Sequence, residues 1–198
     1  MNLLREYIRI LLVEAAKSPE DLPKNVVVII RKPAQASGMT QIYYEVVGKG
    51  QPLWLPLGTI TIVPTGRPDT GPCDGAMKVS SSDAERGWGP LLYDVAIEWA
   101  TLNANGLTSD RFGVSPDARR VWDYYLNSRS DVTAHQLDDM KNALTPREED
   151  NCDQRVASWD STALSKNADW VGSPLSKRYT KPPATIEKLK SLGKLVVR

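Results

Sequence analysis

The chain has 198 residues and a formal net charge of +1, with 25 basic against 24 acidic side chains. That length buries a sizeable core in one domain, or in one domain with an extension. A charge so near zero sets up no global field that would call for nucleic acid or an anionic membrane.

Residues 2 to 17 place Leu4, Tyr7, Ile8, Leu11, Leu12 and Ala15 on one face, which predicts a first helix. Arg5, Glu6, Arg9 and Glu14 interrupt it, unlike a secretion signal, and no apolar run approaches the ~18 residues of a membrane span. Val26 to Ile30 is a β-branched run too short for a helix, hence a strand buried on both faces. Gln41 to Val47 reads as the next strand, Gly48-Lys49-Gly50 as a turn, and the alternating Leu57 to Val63 as its antiparallel neighbour. Six prolines and glycines between 64 and 75 predict a loop.

Residues 76 to 126 carry the sharpest pattern. Ala76 to Ser80 reads as a strand, Arg86-Gly87-Trp88-Gly89 as a turn, and Pro90 takes the first position of a helix, where its missing N–H costs nothing. Leu91, Leu92, Val95, Ala96, Trp99 and Leu102 form that helix's apolar stripe. A strand, a glycine turn and a helix start present free N–H groups and the positive end of a helix dipole to an anion. Gly106 to Asp110 predicts another short strand. Ser115 then caps a second helix, with Pro116 at its first position and Val121, Trp122, Tyr125 and Leu126 on its apolar face.

Beyond this the periodicity weakens. Asp131-Val132 predicts the start of an edge strand, and Thr145 to Asp150 a helix start rich in acid. Residues 151 to 185 read as an extended segment, and Thr185 to Leu192 as one or two helical turns. Charge is uneven: residues 131 to 160 carry eight acids against three bases, and 176 to 198 seven bases against one acid. That basic tail either docks on acidic groups of its own chain or meets an acidic partner. Cys73 and Cys152 stand far apart without a metal-ligand spacing, which predicts reduced thiols in a cytoplasmic protein and no metal site. The lone His135 reads as a surface or loop residue.

The strand, Arg-x-x-Gly turn, helix, strand and Ser-x-x-Ala helix start resemble the core of the GNAT (Gcn5-related) acyltransferases. The runs Gly87-Trp88-Gly89-Pro90-Leu91-Leu92-Tyr93-Asp94, Gly106 to Arg111, Val114 to Trp122 and Leu175 to Lys181 are similar to acetyltransferase-like proteins of tailed bacteriophages. The likeness spans roughly residues 73 to 198. It implies an α/β (α+β) fold, with a mixed, mostly antiparallel sheet, helices on both faces and an extended C-terminal tail. A GNAT-like domain over 1–145 and a C-terminal docking extension over 146–198 are expected.

The resemblance implies acetyl-CoA as acyl donor. Its pyrophosphate would meet Arg86, Gly87, Trp88 and Gly89, its pantetheine arm Val79 and Ser81, with Ser115 nearby. The family's last small position in the loop is Leu91 here, and its acidic tyrosine is replaced by Trp122. Tyr125 is then the best substitute acid, with Tyr124 beside it. Two functions follow: an acyl-CoA-dependent N-acyltransferase on an unidentified amine, or a catalytically degenerate protein of this fold that serves in a virion or binds other proteins. Phage structural proteins are expected partners, a homo-oligomer is compatible, and the expected location is host cytoplasm or virion.

Overall fold

The computed structural model describes residues 16–32, 38–48, 54–66, 70–110, 113–153 and 170–198. The helix expected over 2–17 lies almost wholly outside them, as does the segment 154–169. The fold is mixed α/β, with an eight-stranded, mostly antiparallel sheet and three α-helices among the described residues.

Strands β1 (Val26–Arg31), β2 (Thr40–Val46) and β3 (Trp54–Pro64) come first, then β4 (Met77–Ala84) and helix α1 (Gly89–Asn103). After these come β5 (Leu107–Thr108), α2 (Pro116–Ser128), β6 (Thr133–Gln136), β7 (Lys177–Thr180), α3 (Ala184–Ser191) and β8 (Leu195–Val197). The sheet order is β6-β7-β5-β4-β3-β2-β1-β8. β1 runs antiparallel to β2, with Val28 opposite Tyr44, and parallel to β8, with Ile29 opposite Val196. β4 and β5 are parallel across α1, the βαβ step expected from the sequence. β7 runs antiparallel to both β5 and β6.

Two compact units emerge: Met1–Thr61 with Ser81–Ala96 and Pro183–Arg198, and Ile62–Ser80 with Ile97–Pro182. In the first, all five residues Val26 to Ile30 are buried, as their β-branched run requires, and Ile42, Ile60, Leu91, Leu92 and Leu189 are buried too. Each such side chain withdrawn from water contributes about 1.5–3 kcal/mol. In the second, Trp122, Tyr125 and Tyr179 form an aromatic cluster, with Trp122 stacked on Tyr179 at 5.0 Å between centroids. The hydroxyl of Tyr179 donates to the Pro174 carbonyl at 2.6 Å.

Several expectations need correction. Cys73 and Cys152 are not free thiols: they form a disulfide across 79 residues, both fully buried. Sequence spacing could not show this, because the loop carrying Cys73 and the acidic loop are brought together only by tertiary pairing. Cys73 N–H donates to Asn151 O and Asp74 N–H to Glu149 O. Residues 145–150 form no helix, since the Leu144 and Thr145 N–H groups bond the carboxylate of the buried Asp138 instead. The edge strand begins at Thr133 rather than Asp131. Helix α1 is buried nearly all round from Leu91 to Glu98 and at Ala100, whereas Leu102, read as part of its stripe, is exposed. Within the expected extension, residues 177–180 and 195–197 are sheet strands, and 177–180 is an inner one.

Candidate functional site

β4 changes character along its length. Met77, Lys78 and Val79 are buried, while Ser80 to Ala84 are exposed. Its parallel pairing to β5 covers only Met77–Leu107 and Lys78–Thr108, so from Val79 onward β4 runs without a β5 partner. The strand ends where Glu85 N–H donates to Leu57 O at 3.1 Å. A tight turn then closes through Trp88 N–H to Glu85 O at 3.0 Å, with Gly87 at its third position and φ 89°. A left-handed residue there is what a type II turn requires, and glycine adopts it without a steric cost.

This turn is held from behind. Gly87 O accepts from Lys17 N–H at 2.9 Å. Trp88 is buried, meets Tyr44 edge-on at 5.4 Å, and receives the Tyr44 hydroxyl on its carbonyl at 2.9 Å. Burial raises the Tyr44 phenol well above its ordinary pKa, so it stays a donor. Tyr93, the fifth residue of α1, shares a 3.0 Å hydrogen bond with Ser82 of β4.

The residues nominated for phosphate binding therefore divide. The Trp88 N–H is committed within the turn, and its side chain packs. The Gly87, Gly89 and Leu91 N–H groups have no acceptor among the described residues, and Pro90 has no N–H to satisfy. Arg86 is exposed. Leu91, the branched side chain that departs from the family pattern, is 2 % exposed and is taken up by the core rather than standing before the turn. Val79 is buried on β4 and Ser81 exposed on it.

The second group of nominated residues belongs to α2. Ser115 is exposed and accepts from Ala118 N–H at 3.2 Å, the N-cap expected from the sequence. Tyr125 is 1 % exposed and set among Trp122 and Tyr179, while Tyr124 is half-buried with its ring 5.9 Å from that of Tyr125. The Arg129 guanidinium lies 5.3 Å from the centre of the Tyr125 ring and 5.8 Å from that of Tyr124. His135 is half-buried on β6, with Nε2 3.0 Å from the Thr180 hydroxyl, and its pKa is lowered first by burial and then by Arg178.

The basic tail is largely spent on its own chain. Lys177 donates to Gln136 and to Val171 O, Arg178 to Asp74 and Asn105, and Lys181 to the buried Glu98. Lys188 pairs with Glu20, Lys194 reaches three carbonyls, and Arg198 grips Glu45 with two hydrogen bonds. The acids they use mostly lie outside 131–160, so the charge imbalance of that stretch was not the signal for them. Among the described residues, no group of three His, Cys, Asp or Glu could hold a metal ion, and no helix is long and apolar enough to cross a membrane. No family model, curated protein or solved structure matches the chain.

Proposed function

We propose that the chain is a GNAT-fold acyl-CoA-dependent N-acyltransferase of the kind carried by tailed bacteriophages, acting on an amine not yet identified. The observation that carries this reading is the run from Val79 to Leu91. A strand released from its β5 partner leads into a turn and a helix start whose Gly87, Gly89 and Leu91 N–H groups are unpaired. The order of antiparallel strands followed by a βαβ step adds support.

The residues present fit acetyl-CoA. Gly87 and Gly89 N–H, aided by the helix dipole and the Arg86 charge, would hold the pyrophosphate. Backbone groups of β4 from Val79 to Ser81 would hold the pantetheine arm as an added strand would. Acetyl-CoA would supply the activated acyl group; as the amine bonds the acyl carbon and the C–S bond breaks, the departing thiolate needs a proton, the role the resemblance gives to Tyr125 or Tyr124. Tyr124 has the better access of the two candidates, being half-buried where Tyr125 is enclosed. Thiol release from acetyl-CoA across a panel of amines tests the reading: activity should appear with one amine class and fall at least tenfold in Tyr124→Phe or Tyr125→Phe.

One observation favours a second reading. Trp122 and Tyr125, in the region where the family keeps its proton donor, are almost fully buried in an aromatic cluster with Tyr179. A fold that retains the turn but fills that region with packing would serve as a virion or protein-binding scaffold. In that case acetyl-CoA binds without turnover or does not bind.

A further inference from the structure

Among the described residues the sheet ends at β8, and no strand pairs with its outer edge. Lys194 O accepts from Val28 N–H, Arg198 N–H donates to Ile30 O, and Arg198 O accepts from Lys32 N–H. Backbone groups alternate sides along a strand, so the even-numbered residues of this run face β1 and the N–H and C=O of Leu195 and Val197 face away from it. Those outward groups have no partner among the described residues. Val196 packs on Val27, Ile29 and Tyr43, which fixes the strand. The strand itself carries no charge, proline or bulge, the usual guards of a sheet edge. Val197 is 47 % exposed.

Charge frames this edge. Lys24, whose carbonyl receives Lys194 Nζ, and Lys190, one turn before β8, stand at its start. Arg31, directly after the partner of Val197, stands at its end. All three are exposed and have no acidic partner among the described residues. The nearby acids Glu20 and Glu45 are already neutralised by Lys188 and Arg198; among the described residues Asp21, whose carboxylate accepts from Ser18, and Glu187 of α3 stand against the three cations without a salt bridge.

We propose that β8 is a docking edge for an extended acidic segment of another protein, which adds to the sheet as a ninth strand beside Leu195–Val197. Main-chain bonds to the outward groups give the affinity, and Lys24, Arg31 and Lys190 select glutamate or aspartate flanking a short apolar core. A second copy of this chain is the poorer occupant, because an antiparallel β8 pair would bring the same cations together.

The test is fluorescence anisotropy with a labelled peptide alternating glutamate and valine, against full-length protein, with a lysine–valine peptide as control. Val197→Pro removes one outward N–H and none of the bonds to β1, and should weaken the glutamate peptide at least tenfold while the far-ultraviolet spectrum is kept. Arg31→Glu with Lys190→Glu should weaken it at least fivefold at low salt, and carries the test alone if Val197→Pro loses its cooperative melt. The proposal is overturned if the glutamate peptide does not bind, if the lysine peptide binds equally, or if neither variant changes its affinity. A dimer by light scattering that Val197→Pro dissociates would also overturn it, in favour of self-pairing.

Discussion

The hydroxyl of Tyr44 on β2 donates to the backbone carbonyl of Trp88 at 2.9 Å, and its ring meets the Trp88 indole edge-on. A strand residue 44 positions away thus holds the turn whose Gly87 and Gly89 N–H groups have no acceptor among the described residues. Tyr44→Phe keeps the ring contact and deletes the donor, leaving the buried carbonyl with only the 3.5 Å bond from Leu92 N–H. The loss should be about 1–2 kcal/mol of stability, read as a lower Tm, with several-fold weaker acetyl-CoA binding. A variant with an unchanged Tm would show that the bond does not hold the turn.

Glu98 and Lys181 form an ion pair whose side chains are essentially inaccessible, with Asp131 Oδ2 3.6 Å from the same ammonium. Removing one member leaves the other buried without its nearest opposite charge. Glu98→Leu alone should therefore destabilise the protein by about 3–5 kcal/mol, whereas Glu98→Leu with Lys181→Met should recover most of that. Denaturant unfolding of the two variants measures the difference. Additive losses in the double variant would contradict a coupled pair.

The disulfide between Cys73 and Cys152 closes a loop across 79 residues. Chain-entropy arguments assign such a closure about 4 kcal/mol. Cys73→Ser with Cys152→Ser, or reduction of the wild type, should lower the Tm well beyond experimental error and expose residues 138–153 to protease. Superimposable melts with and without dithiothreitol would mean the two sulfurs are not joined.

Acidity acts on His135 and Asp131 over separate ranges. The folded pKa of His135 lies below its ordinary 6.5, so the unfolded chain binds the proton more readily and stability falls as pH drops through that value. His135→Gln should flatten the dependence of Tm on pH just below 6.5. Asp131 is different: hydrogen bonding from Arg129 holds its carboxyl down to about 2 from 3.8. Its contribution is complete above pH ~4 and is lost between ~4 and ~2. Asp131→Asn should leave the near-neutral slope untouched and change only the acid limb, a small effect because the carboxylate is partly exposed.

Local pattern carried the strands, because β-branched runs such as Val26 to Ile30 and a Pro-headed helix at Pro116 state their structure within a few residues. The Ser115 cap and the βαβ step were legible for the same reason. Long-range pairings were not. Nothing near Cys73 points to Cys152, and nothing near Lys181 selects Glu98, 83 positions earlier, among the acids available. The inner strand β7 was hidden because Lys177, Arg178 and Tyr179 read as a polar tail until their partners Gln136, Asp74 and Trp122 are in place. Within the site, the turn was legible from its glycines. The committed Trp88 N–H and the burial of Leu91 depend on packing that no short motif encodes.

The proposed function requires the turn between β4 and α1 to bind the phosphates of an acyl-CoA. Calorimetric titration of acetyl-CoA into wild type and Gly89→Glu tests it most directly. A Cβ at Gly89 would meet only Ala84 Cβ at 3.7 Å, and an acid suits a helix start, so the variant should fold. Its carboxylate would stand where a phosphate must lie. Wild type should bind in the micromolar range, and Gly89→Glu at least a hundredfold more weakly at an unchanged Tm. Absence of binding to the wild type at millimolar acetyl-CoA, or equal binding by both proteins, would contradict it.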